Sequence, residues 1–329
     1  MGLFPHALLL GALVLMSAGA PEIASAQTVF PARSITLVVP AAAGGPTDTV
    51  ARLVAESMSR TLGQTVLVEN IGGAGGTIGM ARVAKAAPDG YTVAVWHIAQ
   101  ATAPALYDNL RYDVVNDFDH VGRITDVPMT LVSKAALPAK NVKELLDWMQ
   151  AQKGKVTYGH AGVGSASHLC ALILINELGL KMEGVGYRGT GPAMNDLIGG
   201  QFDVMCDQTT NTTAQIKESK IKGYAVTTKS KVSSLPDLPT LDSGAIPGFE
   251  VSAWHAMWAP KGLAKDVSDK LVAALQVALK DPKVIERFAS LGTEPVAPAV
   301  ATPDALKVHL AAEVKRWGTV IKAAGVKGN

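Results

Sequence analysis

The chain has 329 residues, of which 48% are hydrophobic and 18% are charged, and its formal net charge is +2. This near-balance of charge argues against a nucleic-acid-binding protein, which usually presents a basic surface to the phosphates, and the hydrophobic content excludes a disordered chain. At roughly 150 residues per domain, the length predicts two domains.

The first 26 residues are predicted to be a signal peptide. Residues 7–16 read ALLLGALVLM, a run too short for the roughly 20 residues that cross a bilayer but suited to a signal-peptide core. Ala24-Ser25-Ala26 forms an A-x-A cleavage site, so the mature chain is expected to begin at Gln27, in the periplasm. Signal peptides usually begin with a positively charged segment, but residues 1–6 contain no Lys or Arg. The alternatives to a signal peptide as written are a start site placed too far downstream and a buried N-terminal strand.

The two cysteines, Cys170 and Cys206, lie in apolar segments (HLCALILI and FDVMCD). An oxidising compartment permits a disulfide between them. The apolar surroundings favour instead two free, buried thiols that behave as small hydrophobic side chains. Neither their spacing nor their neighbours indicate a metal site.

From Ser34 onward, strand-like runs alternate with helical patterns. Val50, Leu53, Met58 and Leu62, for example, repeat at the spacing of one helix face. This alternation predicts an α/β fold with parallel sheets covered by helices. The predicted strands are residues 34–40, 65–69, 91–96, 156–160, 185–187, 202–207 and 223–227.

Two longer extended runs interrupt the alternation. Residues 117–134 contain no helix on either side of Pro128, and residues 249–260 are followed only by helical patterns, the last of them over residues 303–323. Two such crossings predict a discontinuous first domain with a second domain inserted, and a cleft with hinges between them. The predicted boundaries are residues 27–126 and 250–329 for the first domain and residues 127–249 for the second.

Four strand-to-helix junctions share a glycine-rich design. They read PAAAGGPTD from Pro40, GGAGGT from Gly72, GHAGVGS from Gly159 and YRGTGP from Tyr187. Such a turn leaves backbone N–H groups exposed at a helix N-terminus, where the macrodipole favours an anion even without Lys or Arg. Because the loops come from both halves of the chain, an anion with two acidic ends can be held from two sides. The alternative is a set of tight connections that need glycine for positive φ.

Motifs typical of enzymes are missing. The dinucleotide fingerprint that could begin at Gly73 has Ile78 at its third glycine position, and the Gly154-Lys155 pair does not continue as a phosphate-binding loop. No G-x-S-x-G or H-E-x-x-H sequence occurs. The sequence therefore predicts a protein that is not an enzyme and that has neither a cofactor nor a metal.

Taken together, these segments resemble the Bug/TctC family, the extracytoplasmic solute-binding proteins of tripartite tricarboxylate transporters. The resemblance begins with SITLVVPAAAGGPTDTVARLVAESMSRTLGQTVLVENIGGAGGTIGM and continues through PALYDNLRYDVVNDFDHVGRI, YGHAGVGSASHL, GYRGTGPAMNDLIGGQFDVMCD and PTLDSGAIPGFEVSAWHAMWAP. It covers essentially the whole predicted mature chain. It implies a type II periplasmic-binding-protein fold with two α/β domains, a hinge and an interdomain cleft.

The resemblance also implies a function. We expect a monomeric receptor that captures an organic carboxylate or dicarboxylate by domain closure and delivers it to the membrane permease subunits of the transporter. A ligand sensor for a two-component signalling system is the alternative, and an enzyme on the same fold is less favoured. In this family the carboxylate is held largely by backbone N–H groups, hydroxyls and ordered water, and the matching loops are residues 42–48, 76–77 and 164–168.

Individual candidates for ligand contact have competing explanations. Thr47 and Ser165 are each expected either to donate a hydroxyl to the ligand or to cap a helix. For Asp48, a structural role is favoured over contact with the ligand. Asp207 is expected to face the cleft, where it orients water or pairs with an ammonium group, and Arg188 pairs with a distal carboxylate or is a solvated surface charge. The predicted contacts are Ala42, Gly45, Thr47, Asp48, Gly76, Thr77, His97, Gln100, Gly164, Ser165, His168, Arg188, Gly189, Thr190 and Asp207.

Two positions depart from the commoner family pattern. Trp96-His97 follows the third strand, where relatives often have small or hydroxyl residues, and Trp254-His255 stands where Trp-Tyr is more usual. If both histidines line the cleft, they add donors and ring surface. This difference predicts a ligand other than the plain acidic amino acids, such as a longer or aromatic dicarboxylate.

Overall fold

The computed structural model describes residues 1–2 and 29–328. The apolar run and cleavage site of the predicted signal peptide lie outside the described residues, so that assignment stays a prediction. Within the described part of the chain, no helix is long and apolar enough to cross a bilayer.

The described residues form one mixed sheet of nine strands. Its order is β2-β1-β3-β9-β4-β7-β5-β6, with β8 beside β4. β1 pairs in parallel with β2 and β3, β5 pairs in parallel with β6 and β7, and the pairs of β4 and β9 are antiparallel. The strands are β1 (Ile35–Val39), β2 (Val66–Asn70), β3 (Thr92–His97), β4 (Phe118–Lys134), β5 (Val156–His160), β6 (Met182–Gly186), β7 (Val204–Gln208), β8 (Ile221–Val226) and β9 (Ser252–Pro260).

Ten α-helices cover this sheet in the described range. They are α1 (Pro46–Leu62), α2 (Thr77–Ala84), α3 (Ala99–Leu106), α4 (Val142–Ala151), α5 (Ala166–Glu177), α6 (Thr190–Ile198), α7 (Thr209–Lys217), α8 (Lys265–Ala278), α9 (Pro282–Ser290) and α10 (Pro303–Ala324). The helical pattern predicted over residues 303–323 corresponds to α10; of the residues predicted on its inner face, Leu306, Leu310, Trp317 and Ile321 are buried and Val314 is half-buried.

Strand β4 divides the sheet into two halves. Its first part, Phe118–Pro128, pairs with β9, and its second part, from Met129, pairs with β7 and β8. The change of partner falls at Pro128, which has no N–H to donate to a continuing ladder. We call β1–β3, β9 and the first part of β4 the first sheet half, and β5–β8 and the rest of β4 the second sheet half.

The cysteine prediction was wrong. Cys170 on α5 and Cys206 on β7 form a disulfide, with their Cα atoms 6.0 Å apart. Both residues are buried, so the apolar surroundings that favoured free thiols describe a buried disulfide equally well. The packing of α5 against β7 brings the two together, and a separation of 36 residues does not reveal that contact.

Candidate functional site

Four helices that directly follow strands begin at one cavity between the two sheet halves. The N-cap residues Gly45 of α1, Ser165 of α5, Gly189 of α6 and Gln208 of α7 all line it. Each of these helices directly follows a strand, β1, β5, β6 or β7, so the cavity lies where ligands bind in open α/β sheets. Since each N-terminus carries roughly half a positive charge, the cavity favours an anion.

The cavity has a volume of about 280 Å³, just below the roughly 300–1,000 Å³ that is typical of small-molecule sites. Both sheet halves contribute to its wall. Among the described lining residues, Arg188 is the one with a formal charge. The wall consists of Pro40, Ala41, Gly45, Pro46, Thr47, Gly73, Ala74, Gly75, Gly76, Trp96, His97, Tyr107, Ala161, Gly162, Val163, Ser165, Ala166, Ser167, Gly186, Tyr187, Arg188, Gly189, Thr190 and Gln208.

On the first sheet half, the start of α1 supplies a hydroxyl. Gly45 is the N-cap and Pro46 the first helical residue, because proline lacks the N–H that this position leaves unpaired. Thr47 is therefore inside the helix and does not cap it. Its Oγ1 lies 3.1 Å from Nε2 of His255, on β9. His255 is fully buried behind Thr47 and does not line the cavity.

His97, at the end of β3, is a neutral donor in the wall. Its ring stacks on Trp96 with centroids 3.9 Å apart. The Ala99 N–H donates to His97 Nδ1 at 3.1 Å, so the neutral ring carries its proton on Nε2. Burial, with a smaller contribution from His255, lowers the pKa of His97 well below its usual value.

Trp96 fits into the wall because residue 76 is glycine. A Cβ on Gly76 would lie 2.2 Å from Cζ2 of Trp96, and Gly76 has φ +92°, a conformation that other residues rarely adopt. Thr77, the next residue, does not line the cavity, and its hydroxyl donates to the Ala74 carbonyl.

On the second sheet half, two histidines hold the loop between β5 and α5. The Gly162 N–H donates to His160 Nδ1 at 3.1 Å, and the Gly164 N–H donates to His168 Nδ1 at 3.2 Å. His168 thus lies behind the loop, outside the cavity wall, and burial, with a contribution from His160, lowers its pKa to about 4. Ser165 lines the cavity and also caps α5, since its Oγ accepts from the His168 N–H at 3.3 Å.

The end of β7 contributes a residue that the sequence did not indicate. Gln208 lines the cavity, although it is only 3% exposed. Its position in the sequence could have indicated it, since Gln208 is a polar residue between a buried strand and the start of a helix, next to Asp207. Tyr107 was also missed; it lines the cavity and donates its hydroxyl to the Val163 carbonyl at 3.2 Å.

The two sheet halves touch across the cavity. The Ala42 N–H donates to the Arg188 carbonyl at 3.0 Å, and Thr102 Oγ1 donates to the Gly164 carbonyl, also at 3.0 Å. The Tyr107–Val163 bond is a third crossing. Ala42 and Gly164, predicted as ligand contacts, therefore join the halves and do not line the cavity.

Two predicted contacts have structural roles elsewhere. Asp48 accepts hydrogen bonds from the Gly44 N–H, Arg52 Nε and Asn70 Nδ2 at 2.9 to 3.0 Å. Burial disfavours its charge, but these bonds outweigh that effect and hold its pKa below the usual value. Gln100 is fully buried, and its Nε2 donates to the Val114 carbonyl at 3.3 Å. Neither residue lines the cavity.

Asp207 does not face the cavity as predicted. It is fully buried behind the wall, and its Oδ2 accepts from Asn211 Nδ2 at 2.6 Å. Burial raises the pKa of Asp207 to about 7. The described residues contain no group of three or more His, Cys, Asp or Glu arranged to hold a metal.

Comparisons with known proteins agree with this architecture. Residues 50–326 match the family model described as "Tripartite tricarboxylate transporter family receptor" (TctC). A protein of Agrobacterium vitis, a "UPF0065 protein in the TAR-I ttuE-ttuC' intergenic region", is 54% identical over 314 residues, covering 95% of this chain and 91% of the relative.

Two solved structures superimpose closely. The periplasmic binding protein BugD is 50% identical with a TM-score of 0.89, covering 91% of this chain and 100% of BugD. MatC from Rhodopseudomonas palustris, with bound malate, is 39% identical with a TM-score of 0.85, covering 89% of this chain and 100% of MatC.

Proposed function

Because this chain belongs to the TctC family of tripartite tricarboxylate transporter receptors, we propose that it captures an organic dicarboxylate between its two sheet halves and delivers it to the membrane permease subunits of such a transporter. Its fold is that of the type II periplasmic binding proteins, two α/β domains with an interdomain cleft, as the resemblance implied. We place its action in the periplasm and take the working unit to be a monomer.

The observation that carries this proposal is the convergence of four helix N-termini on one cavity. Aligned N–H groups stabilise an anion without a basic patch. Neutral His97, the Thr47 hydroxyl and the Gln208 amide add polar groups to the wall. MatC, the related protein of the same fold, holds malate, which is a dicarboxylate.

Two acidic ends fit the division of donors between the halves. One wall contains the start of α1 and His97, and the opposite wall contains the starts of α5, α6 and α7. Arg188, an exposed residue of the second half that lines the cavity, is proposed to pair with the distal carboxylate. Charge-assisted hydrogen bonds of this kind are roughly twice as strong as neutral ones.

We further propose that the ligand is not a plain acidic amino acid. Asp207, the carboxylate that could have paired with an ammonium group, is enclosed behind the wall and bonded to Asn211. The rings of Trp96, His97 and Tyr107 supply apolar surface instead, which suits the carbon chain or ring of a longer or aromatic dicarboxylate.

Domain closure is the proposed capture step. We assign residues 27–126 and 250–329 to one domain and residues 127–249 to the other, with the passages through β4 and β9 between them. A ligand that contacts both domains stabilises the closed form by its higher affinity for that form.

A thermal-shift and calorimetric screen of mono-, di- and tricarboxylates, aromatic diacids, aspartate and glutamate tests this function. A true ligand at one hundred times its Kd should stabilise the protein by about 2.7 kcal/mol, and dicarboxylates should be the best ligands. If no carboxylate binds, the function is wrong. If only aspartate or glutamate binds, the protein is still a receptor for an anion, but the proposal that its ligand is not an acidic amino acid is wrong.

Delivery needs a separate measurement. Deleting the receptor should abolish uptake of the labelled ligand by cells that retain the membrane subunits, and the intact receptor should restore it. Normal uptake without the receptor would contradict a role in transport.

A further inference from the structure

A carboxyl group with an unsatisfied oxygen lies directly behind the cavity wall. Asp207 is 0% exposed; its Oδ2 accepts from Asn211, but its Oδ1 has no hydrogen-bond partner. Both residues in front of it, Gln208 and Thr190, line the cavity. An ionised carboxylate left unpaired in a buried site is costly, so this position favours the protonated form.

Thr190 connects this carboxyl group to the cavity. Its hydroxyl lies beside Asp207 and favours the ionised carboxylate. Asn211 Nδ2, which donates to Asp207 Oδ2 at 2.6 Å, also donates to the Thr190 carbonyl at 3.4 Å, so the two residues are held side by side. Thr190 is also the first residue of α6, so one side chain borders both the buried acid and the anion site.

The surroundings of Asp207 hold no compensating charge within the described residues. The ionisable side chains on the elements packed against β7 do not shift its pKa, which burial raises to about 7. They are Asp119, His120, Arg123, Asp126 and Lys134 on β4, Tyr158 and His160 on β5, His168 and Glu177 on α5, Asp196 on α6 and Lys217 on α7.

The single hydroxyl hydrogen of Thr190 can point in only one direction. When Asp207 is ionised, that hydrogen is drawn to the carboxylate, and the oxygen lone pairs of Thr190 face the cavity and repel a ligand carboxylate. When Asp207 is protonated, its O–H donates to Thr190 Oγ1, and the Thr190 hydrogen is free to donate to the ligand.

We propose that carboxylate binding in the cavity is coupled, through the Thr190 hydroxyl, to the uptake of one proton from solvent by Asp207. The inference rests on the proposed function, since it needs an anion in the cavity. Asp207 is a positioning residue here, because it acts on the ligand through Thr190.

The coupling has a defined sign and pH window. The bound form holds the extra proton, so affinity is highest below the pKa of the free protein and falls as pH rises through it. Ligand carboxylates keep their charges between pH 7 and 9, and His97 stays neutral. The Kd is therefore expected to increase by up to about tenfold per pH unit in this range.

Isothermal titration calorimetry with the best-binding dicarboxylate, in two pH 8 buffers of different ionisation enthalpy, counts the proton directly. The wild type should take up close to one proton. Asp207→Asn, whose amide can donate to Thr190 permanently, should bind with no proton uptake and with a Kd independent of pH. Asp147→Asn, at an exposed carboxylate on α4, is the matched control and should behave as the wild type.

Position 190 gives an independent check if Asp207→Asn folds poorly. Thr190→Ser keeps the hydroxyl and should keep the proton uptake, whereas Thr190→Val should lose it along with affinity. A wild-type binding heat that does not depend on the buffer would overturn the coupling while leaving the receptor function intact. Binding of no carboxylate at any pH would instead refute the proposed function.

Discussion

Arg188 is the charged residue among the described residues of the cavity wall, where the other polar groups are neutral. Its side chain is exposed at the rim, where solvent screens an ion pair and limits its strength. Its backbone carbonyl, in contrast, accepts the Ala42 N–H and joins the two halves. The side chain can therefore be changed without removing that contact, which separates ligand recognition from closure.

Replacing Arg188 by Met should weaken dicarboxylate binding by about 1–2 kcal/mol, or roughly 5- to 30-fold, because the distal carboxylate loses a charged donor at a partly screened site. A monocarboxylate should lose less, since it has no distal group. Arg33→Met, at an exposed arginine paired with Asp89, removes the same charge and is the matched control. Equal losses in both variants would indicate a general effect of net charge.

At the scale of elements, the disulfide joins two parts of the cavity wall. Cys170 lies in the first turns of α5, whose N-cap is Ser165, and Cys206 lies two residues before Gln208. The cross-link thus holds one helix N-terminus at a fixed distance from the end of β7. It contributes to folding stability by restricting the unfolded chain.

A Cys170→Ala, Cys206→Ala variant should lose about 3–4 kcal/mol of unfolding free energy, the chain-entropy value for a loop of this length. Urea unfolding with and without a reducing agent measures this loss. The reducing agent should destabilise the wild type and leave the variant unchanged. If the agent lowers the stability of both proteins equally, the effect is not due to the disulfide.

The elements that sequence could predict are those marked by local chemistry. The first glycine-rich junction was recognisable because Gly45-Pro46 is a typical helix start. The orientation of Asp207 was not, since all five residues of β7 are buried and no alternation of polar and apolar residues distinguishes its two faces. α3 was missed because it is short, contains Pro104, and buries its polar residues Gln100 and Thr102 together with its apolar ones, so that no amphipathic pattern marks it. The disulfide and the crossing contacts depend on long-range packing, which local patterns do not encode.

At the scale of the whole molecule, the contact between the two halves leaves no room for a side chain at position 191. Gly191, in α6, faces the loop after β1, and a Cβ there would lie 2.9 Å from the Ala43 carbonyl oxygen and 3.2 Å from the Gly45 nitrogen. Gly191 does not have a positive φ, so alanine suits its local backbone. The requirement for glycine therefore comes from the opposite half of the molecule.

Gly191→Ala should consequently separate folding from closure. The stability of helix α6 itself should increase slightly, because alanine is favoured over glycine within helices by about 0.5–1 kcal/mol. The closed form should be destabilised relative to the open form by about 1–3 kcal/mol, because the added Cβ is overpacked against the facing backbone. This destabilisation should lower ligand affinity about 5- to 150-fold. The control is Gly318→Ala in α10, where the added Cβ has open space.

Small-angle X-ray scattering and calorimetry together test this expectation. The wild type and Gly318→Ala should become more compact when a dicarboxylate is added, whereas Gly191→Ala should stay more open and bind more weakly, with an unfolding midpoint in the absence of ligand at least as high as that of the wild type. Full affinity and full compaction in Gly191→Ala would mean that the halves meet less tightly in the bound form. A lower midpoint without ligand would show that residue 191 acts on folding, since an effect on closure alone leaves the stability of the open form unchanged.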